Sequence, residues 1–334
     1  MISSRLLPLR NSRLLLFFFA LLFHIAGAHA QITDTPAQKA PAPAQDTVLV
    51  SRKIVTLSEV VVRNNLNVPR FIEQVQKDTS FYKAFKNLKI VGYTALNDIR
   101  MTDRRGEVIA SLQSRTRQSV KDGCRSMQTL EEHTGGDIYD RRGDWNYYTA
   151  ELYASLFLVK DTICGEDNVV SGSALSIKDK TGLAKHKEQL KMLFFNPGKR
   201  IPGIPFMGDK IAIFDDSMAD LYDYSIDMED YDGQACYVFA IRAREDLSAS
   251  ERDKLVIDEM TTWFNSNTLE IAGRQYDLSY NAGVYDFNVH LEVQMTRAGD
   301  LLVPRLLRYT GSWHALFKKR ERGIFTATLF DFVR

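Results

Sequence analysis

From residue 210 to the end the chain reads as almost all strand, with apolar and polar side chains alternating at a period of two in one stretch after another. That period puts successive side chains on opposite faces of a strand. DLYDYSIDME and QACYVFAIRA flank the turn DYDG; KLVIDEMTTWF and LEIAGRQYDLSY flank NSNT. YDFNVHLEVQMT and LLVPRLLRYTG flank RAGD, and SWHALFKKR and GIFTATLFDFV complete the series. Turn-type residues between paired alternating runs predict four successive hairpins of a meandering antiparallel sheet.

Earlier in the chain the period changes. KIVTLSEVVV, residues 53–62, is β-branched and reads as a short strand. Val68 and Pro69 open a helix, because proline is tolerated in a first turn. Phe71, Ile72, Val75, Tyr82, Phe85 and Leu88 then return at helical spacing as one apolar stripe. Residues 89–96 and 107–113 read as strands around MTDRRGE, and 115–138 is polar and carries no assignment. Asp144 is placed to cap a second, aromatic helix, DWNYYTAELYASLFLV, and residues 181–195 form a third. NPGKRIPGIPFMG, residues 196–208, holds three prolines and is neither helix nor central strand. It packs on its own core or forms a lip over a ligand cavity.

About ten strands thus share about three helices. A sheet with one wet face needs apolar cover on the other. The class expected is α+β: a strongly curved antiparallel sheet, an open half-barrel, with about three helices in its concavity.

Residues 1–30 are read as a secretory signal peptide and not as part of the fold. Arg5, Arg10 and Arg13 precede an apolar run from Leu14 to Phe23, and Ala28-His29-Ala30 supplies a cleavage site. Residues 31–52, rich in Ala, Pro and Gln, read as a disordered linker. A single domain is expected over 53–334, with a helical insertion around 140–208. No later run is long and apolar enough for a transmembrane helix. Removing three arginines from a chain of 43 basic and 42 acidic side chains leaves a formal charge of −2. That balance gives no reason to expect nucleic acid as a partner. Location is expected in the periplasm or at the outer-membrane periphery. An exported chain meets an oxidising space, so three cysteines allow one disulfide and one leftover thiol. Cys124 and Cys164 flank glycine-containing, loop-like stretches and are the candidate pair; Cys236 sits in an apolar strand as a small core residue.

Catalytic and metal chemistry finds no motif. The acidic run Asp215 to Asp232 fails the calcium-loop pattern, since placing Gly233 at the turn puts Met228 and Phe239 at ligand positions. It reads as a solvated strand face. His133, His186, His290 and His314 show no HxH or HExxH spacing, although His290 and His314 could meet between strands. No GxSxG and no glycine-rich phosphate loop occurs. No enzyme activity, cofactor or metal is expected. Arg305, Arg308 and Glu292 fall within strands and disfavour a lipid-facing barrel.

IPGIPFMGDKIAIFDD, DYSIDMEDYDGQACYVFAI, TTWFNSNTLEIAGRQYDL and YDFNVHLEVQ…GDLLVPRLLRYTGSW resemble segments of the outer-membrane lipoprotein carrier (LolA/LolB-like) half-barrel superfamily. The resemblance covers residues 70–334 and is one of pattern. It implies a curved sheet holding helices, an apolar cavity between them for acyl chains or other lipidic cargo, and no catalysis. TLSEVVVRNN also resembles a segment of many Bacteroidetes outer-membrane transport proteins, which hints at source and compartment. The candidate lining is Phe71, Val75, Trp145, Tyr148, Leu152, Leu156, Ile204, Phe206 and Trp263, each of which core packing would also explain. The expected partner is a hydrophobic small molecule or a lipid or lipoprotein acyl chain. The alternative is an envelope scaffold that docks an outer-membrane protein through its N-terminal arm and an added EVVV strand.

Overall fold

The alternating stretches become strands of one sheet. A computed structural model of the chain describes residues 46–50, 53–63, 66–170, 193–200, 208–281, 285–315 and 319–334. The predicted signal peptide, linker residues 31–45, predicted helix residues 181–192 and loop residues 201–207, with Ile204 and Phe206, lie outside the described residues.

The strands are β1 (Asp46–Val50), β2 (Lys53–Leu57), β3 (Gly92–Thr102), β4 (Val108–Lys121), β5 (Cys124–Gly136), β6 (Ile163–Cys164) and β7 (Tyr222–Tyr231). β8 (Gln234–Ala243), β9 (Ile257–Asn265), β10 (Ile271–Asn281), β11 (Tyr285–Ala298), β12 (Leu301–Ala315) and β13 (Glu321–Val333) follow. They form a 13-stranded open sheet in the order β1-β2-β7-β8-β9-β10-β11-β12-β13-β3-β4-β5-β6. The sheet is mixed, not purely antiparallel as expected, because β2 pairs with β7 in parallel. The chain runs through β3 to β6 and several helices between those two strands, which is the long connection that parallel pairing requires. Asp232-Gly233 and Asp122-Gly123, all at positive φ, make the tight β7–β8 and β4–β5 turns.

Several predicted elements change. Residues 46–50, expected as linker, form edge strand β1 on β2. The EVVV segment is not a strand: Glu59–Arg63 is helix α1, which buries Val61 and exposes Val60 and Val62. One wet side is what its β-branched composition did not reveal. The stripe from Val68 to Leu88 is two helices, α2 (Val68–Lys77) and α3 (Ser80–Asn87). Asp78 breaks it with an extended backbone, and its Oδ1 accepts the Ser80 N–H at 3.1 Å. β5, unassigned from sequence, is exposed along most of its length and so has no burial period to read. The last expected hairpin has no separate first strand: SWHA is the end of one continuous strand, Leu301–Ala315, and that strand pairs antiparallel with β13.

The core lies on one face of the sheet. Clean alternation buries Phe287, Val289, Leu291, Val293 and Met295 of β11 on that side. α2 packs Phe71 on β8 and β9, and α3 packs Phe81 on Tyr276 of β10. α4 (Tyr148–Phe157) packs Tyr153 on Phe325 of β13, at 5.2 Å. The opposite face carries a small separate cluster of Cys236, Val238 and Trp263. Among the described residues no helix is long and apolar enough to cross a membrane. A single disulfide joins Cys124 to Cys164, and Cys236 is a buried thiol.

Candidate functional site

An apolar pocket lies between α4, the helical turn 193–195 and strands β11 to β13. α4 contributes Thr149, Leu152, Tyr153, Leu156 and Phe157; the turn contributes Phe194 and Phe195. The sheet supplies Leu291, Leu307, Tyr309, Trp313 and Phe325. Successive inward positions of β12, namely Leu307, Tyr309, Gly311 and Trp313, put three of these groups on one side of one strand.

Aromatic contacts hold the pocket together. Tyr309 stacks on its cross-strand partner Phe325 at 4.9 Å, with ring planes 10° apart. Phe194 meets Tyr309 and Trp313 edge-on, each at 5.9 Å, and Phe195 stacks on Phe85 of α3 at 4.1 Å. The polar tips are satisfied. The Tyr153 hydroxyl donates to Asn97 Oδ1 at 3.2 Å and to the Thr326 carbonyl at 3.3 Å; Trp313 Nε1 donates to the Tyr309 hydroxyl. Burial pushes the Tyr153 and Tyr309 phenols well above the ordinary tyrosine range, so both stay neutral and uncharged. Among the described residues the lining holds no carboxylate, imidazole or thiol. Such a surface can receive apolar groups.

The space is narrow. Its volume is about 30 Å³, against the ~300–1,000 Å³ of pockets that take drug-sized ligands.

Leu152 and Leu156 are the two sequence-stretch candidates that line this pocket. Phe71 and Val75 are buried elsewhere in the same core, under α2. Trp145 is half-buried and packs on Tyr139 at 4.7 Å, outside the pocket. Tyr148 is half-buried at the start of α4. Trp263 is on the wrong side: its neighbour Phe264 takes the inward position, so strand alternation turns Trp263 outward. There it stacks on Tyr231 at 4.6 Å, and its Nε1 donates to Glu229. The two strand histidines do not meet. His290 pairs with Asp277 at 2.8 Å and His314 with Asp286 at 3.1 Å. Among the described residues no cluster of His, Cys, Asp or Glu could hold a metal ion.

The start of α4 is set from across the fold. Asp144 does not cap it; Tyr147 occupies the N-cap without a side-chain bond. Asp144 belongs instead to a turn in which Asp140 Oδ1 accepts its N–H at 2.9 Å. The Glu321 carboxylate of β13 accepts the Tyr148 N–H at 2.9 Å, the Thr149 N–H at 2.8 Å and the Thr149 hydroxyl at 2.7 Å. A carboxylate at a helix N-terminus satisfies orphan donors and opposes the positive end of the dipole. Replacing Glu321 by alanine is expected to cost about 1–2 kcal/mol. Urea midpoints at constant slope measure this, and an unchanged midpoint would show that the carboxylate does not hold α4.

No family model matches the sequence, and no curated protein matches it. Among solved structures, a DUF1329 family protein from Desulfovibrio piger is 13% identical and covers 79% of this chain and 89% of its own, with a TM-score of 0.24. A putative outer membrane lipoprotein-sorting protein domain from Vibrio parahaemolyticus is 10% identical, with coverage of 80% and 92% and a TM-score of 0.25. A variant porin of Rh. blastica reaches a TM-score of 0.16 at 8% identity, covering 72% of this chain and 99% of that one. At such scores these likenesses define neither family nor function for this chain.

Proposed function

We propose that the chain is a non-enzymatic binding protein of the cell envelope that holds a lipid or acyl group between sheet and helices. The observation that carries this reading is the pocket wall: among the described residues, twelve side chains, all apolar or aromatic save Thr149, and none ionised at neutral pH. Burial of an acyl chain there is favourable at about 25 cal/mol per Å² of apolar surface. At about 30 Å³ the space admits such a chain only as α4 and the 193–195 turn move off the sheet. A sheet of 13 strands supports the half-barrel reading, because twisted open sheets beyond about ten strands generally curl, split or flatten. The signal-peptide pattern of residues 1–30 and the Cys124–Cys164 bond support an oxidising, exported location. Docking by an added EVVV strand loses its basis, since that segment is helical.

Native mass spectrometry of protein isolated from its own cells is the test. The expected result is a lipid-mass adduct that diminishes when Leu152 or Leu156 is replaced by a polar glutamine. Adduct-free protein, with no uptake of acyl chains from added vesicles, would overturn the proposal.

A further inference from the structure

Among the described residues the buried cation Arg274 has no counterion at ion-pair distance. Arg274 lies on the core face of β10 and is 7% exposed. Its guanidinium sits over the Phe81 ring, 4.4 Å from the centroid, and its Nε donates to Thr262 Oγ1 at 2.9 Å. Among the described residues no carboxylate reaches ion-pair distance of it, and its two terminal nitrogens make no hydrogen bond. A second cation stands close. Lys199, half-buried, donates from Nζ to the Gln76 carbonyl in the last turn of α2.

The two cations and the Asp78 carboxylate feel one another. Burial pushes Lys199 down, Asp78 pushes it up, and the Arg274 charge pushes it down again. Burial also pushes Arg274 down, against the pull of Asp78. Asp78 already accepts the Ser80 N–H. Two cations against one carboxylate leave the group at a net charge of +1. An unpaired charge away from water is costly, and a planar guanidinium with free donors matches an oxyanion in two-point geometry.

The place of the group in the fold says more. Phe81, under Arg274, meets Phe85 at 5.5 Å, and Phe85 stacks on Phe195, which lines the apolar pocket. A row of three rings therefore connects the cationic group to the pocket wall. We propose that Arg274 and Lys199 form an oxyanion site that holds the head of a singly charged amphiphile whose tail lies along these rings toward the pocket. This rests on the apolar-cargo reading for the tail, and on the unpaired guanidinium for the head.

Titration with oleate, methyl oleate and inorganic phosphate separates the parts, using the native chain, Lys199→Gln and Arg274→Lys. Lys199→Gln alters a half-buried side chain and keeps the test valid if the buried substitution fails to fold. Native protein is expected to bind oleate about tenfold or more tighter than its methyl ester, as loss of charge-assisted hydrogen bonds implies. Both variants are expected to close that gap by weakening oleate alone. Equal binding of acid and ester by the native chain would overturn the oxyanion site and leave the apolar reading standing. Phosphate binding that the variants abolish, with neither oleyl compound bound, would establish an anion site and overturn both the amphiphile and the apolar reading. Failure of all three probes to bind would overturn both proposals.

Discussion

Replacing Phe71 by alanine is expected to cost about 3–5 kcal/mol of folding stability, the range for deleting a fully buried aromatic side chain. Phe71 is 2% exposed. Its ring meets Phe264 at 5.3 Å, Tyr237 at 6.0 Å and Phe239 at 6.1 Å, the first and last of them edge-on. Such pairs each add about 0.5–1.5 kcal/mol beyond the area they bury. α2 is also held at its start, where Asn67 Oδ1 accepts the Arg70 N–H at 3.1 Å. The helix therefore cannot readily shift to fill the space. Denaturant midpoints measure the loss, with exposed Val60→Ala as the control, expected within about 0.5 kcal/mol of the parent. The size of the effect also decides what Phe71 is. A loss below about 1 kcal/mol would mean that its ring borders open space as a cavity wall, since large penalties come from cavities left in packed surroundings.

That distinction marks where sequence ran out. Strands with one buried face were readable, as in β7, where Tyr222, Tyr224 and Ile226 are buried and Asp223 and Asp227 are exposed. Elements settled by remote contacts were not. Glu321 lies 173 residues from Tyr148, whose N–H it accepts, so Asp144 was the natural local choice for a cap. Ending one alternating run at Gly311 and starting the next at Ser312 split β12 in two. In the fold Gly311 pairs with Gly323 inside the sheet, and the Tyr309 and Phe325 rings lie over the two glycines. A Cβ at Gly311 would fall 2.1 Å from the Tyr309 hydroxyl oxygen. Glycine is there for close approach and not for a bend. Reading the strand through Gly311 would have aligned Leu307, Tyr309 and Trp313, three of the five residues of the pocket's sheet wall and a signal present in the alternation itself. Arg274 was the opposite case. A charged residue in a strand reads as solvent-facing, and only the packing of Phe81 beneath it and the neighbourhood of Lys199 reveal that it points into the core.

Breaking the Cys124–Cys164 bond, by reduction or by a double serine substitution, is expected to lower stability by about 4 kcal/mol on the chain-entropy relation for a loop of this length. The cysteines are 40 residues apart, and the loop between them contains β5 and α4. Little else secures its outer end. β6 has two residues, and β5 is mostly exposed, so few apolar contacts would replace the bond. What remains is polar: Glu166 accepts from Lys89 at 2.7 Å and from Arg125 at 2.5 Å. Cys236 does not compete for the bond. It is buried on the other face, and burial together with Asp230 and Glu229 pushes its thiol up, away from the reactive thiolate. Reduction confirmed by thiol counting, followed by a denaturant midpoint, gives the magnitude. Amide exchange gives the location: β5 and β6 are expected to lose protection first, while β9 to β11 keep theirs. Because α4 lies inside the closed loop and forms one wall of the pocket, acyl uptake is expected to rise as the bond opens. An unchanged midpoint in fully reduced protein would show that the strand ladder from β4 to β5 holds that end of the sheet by itself.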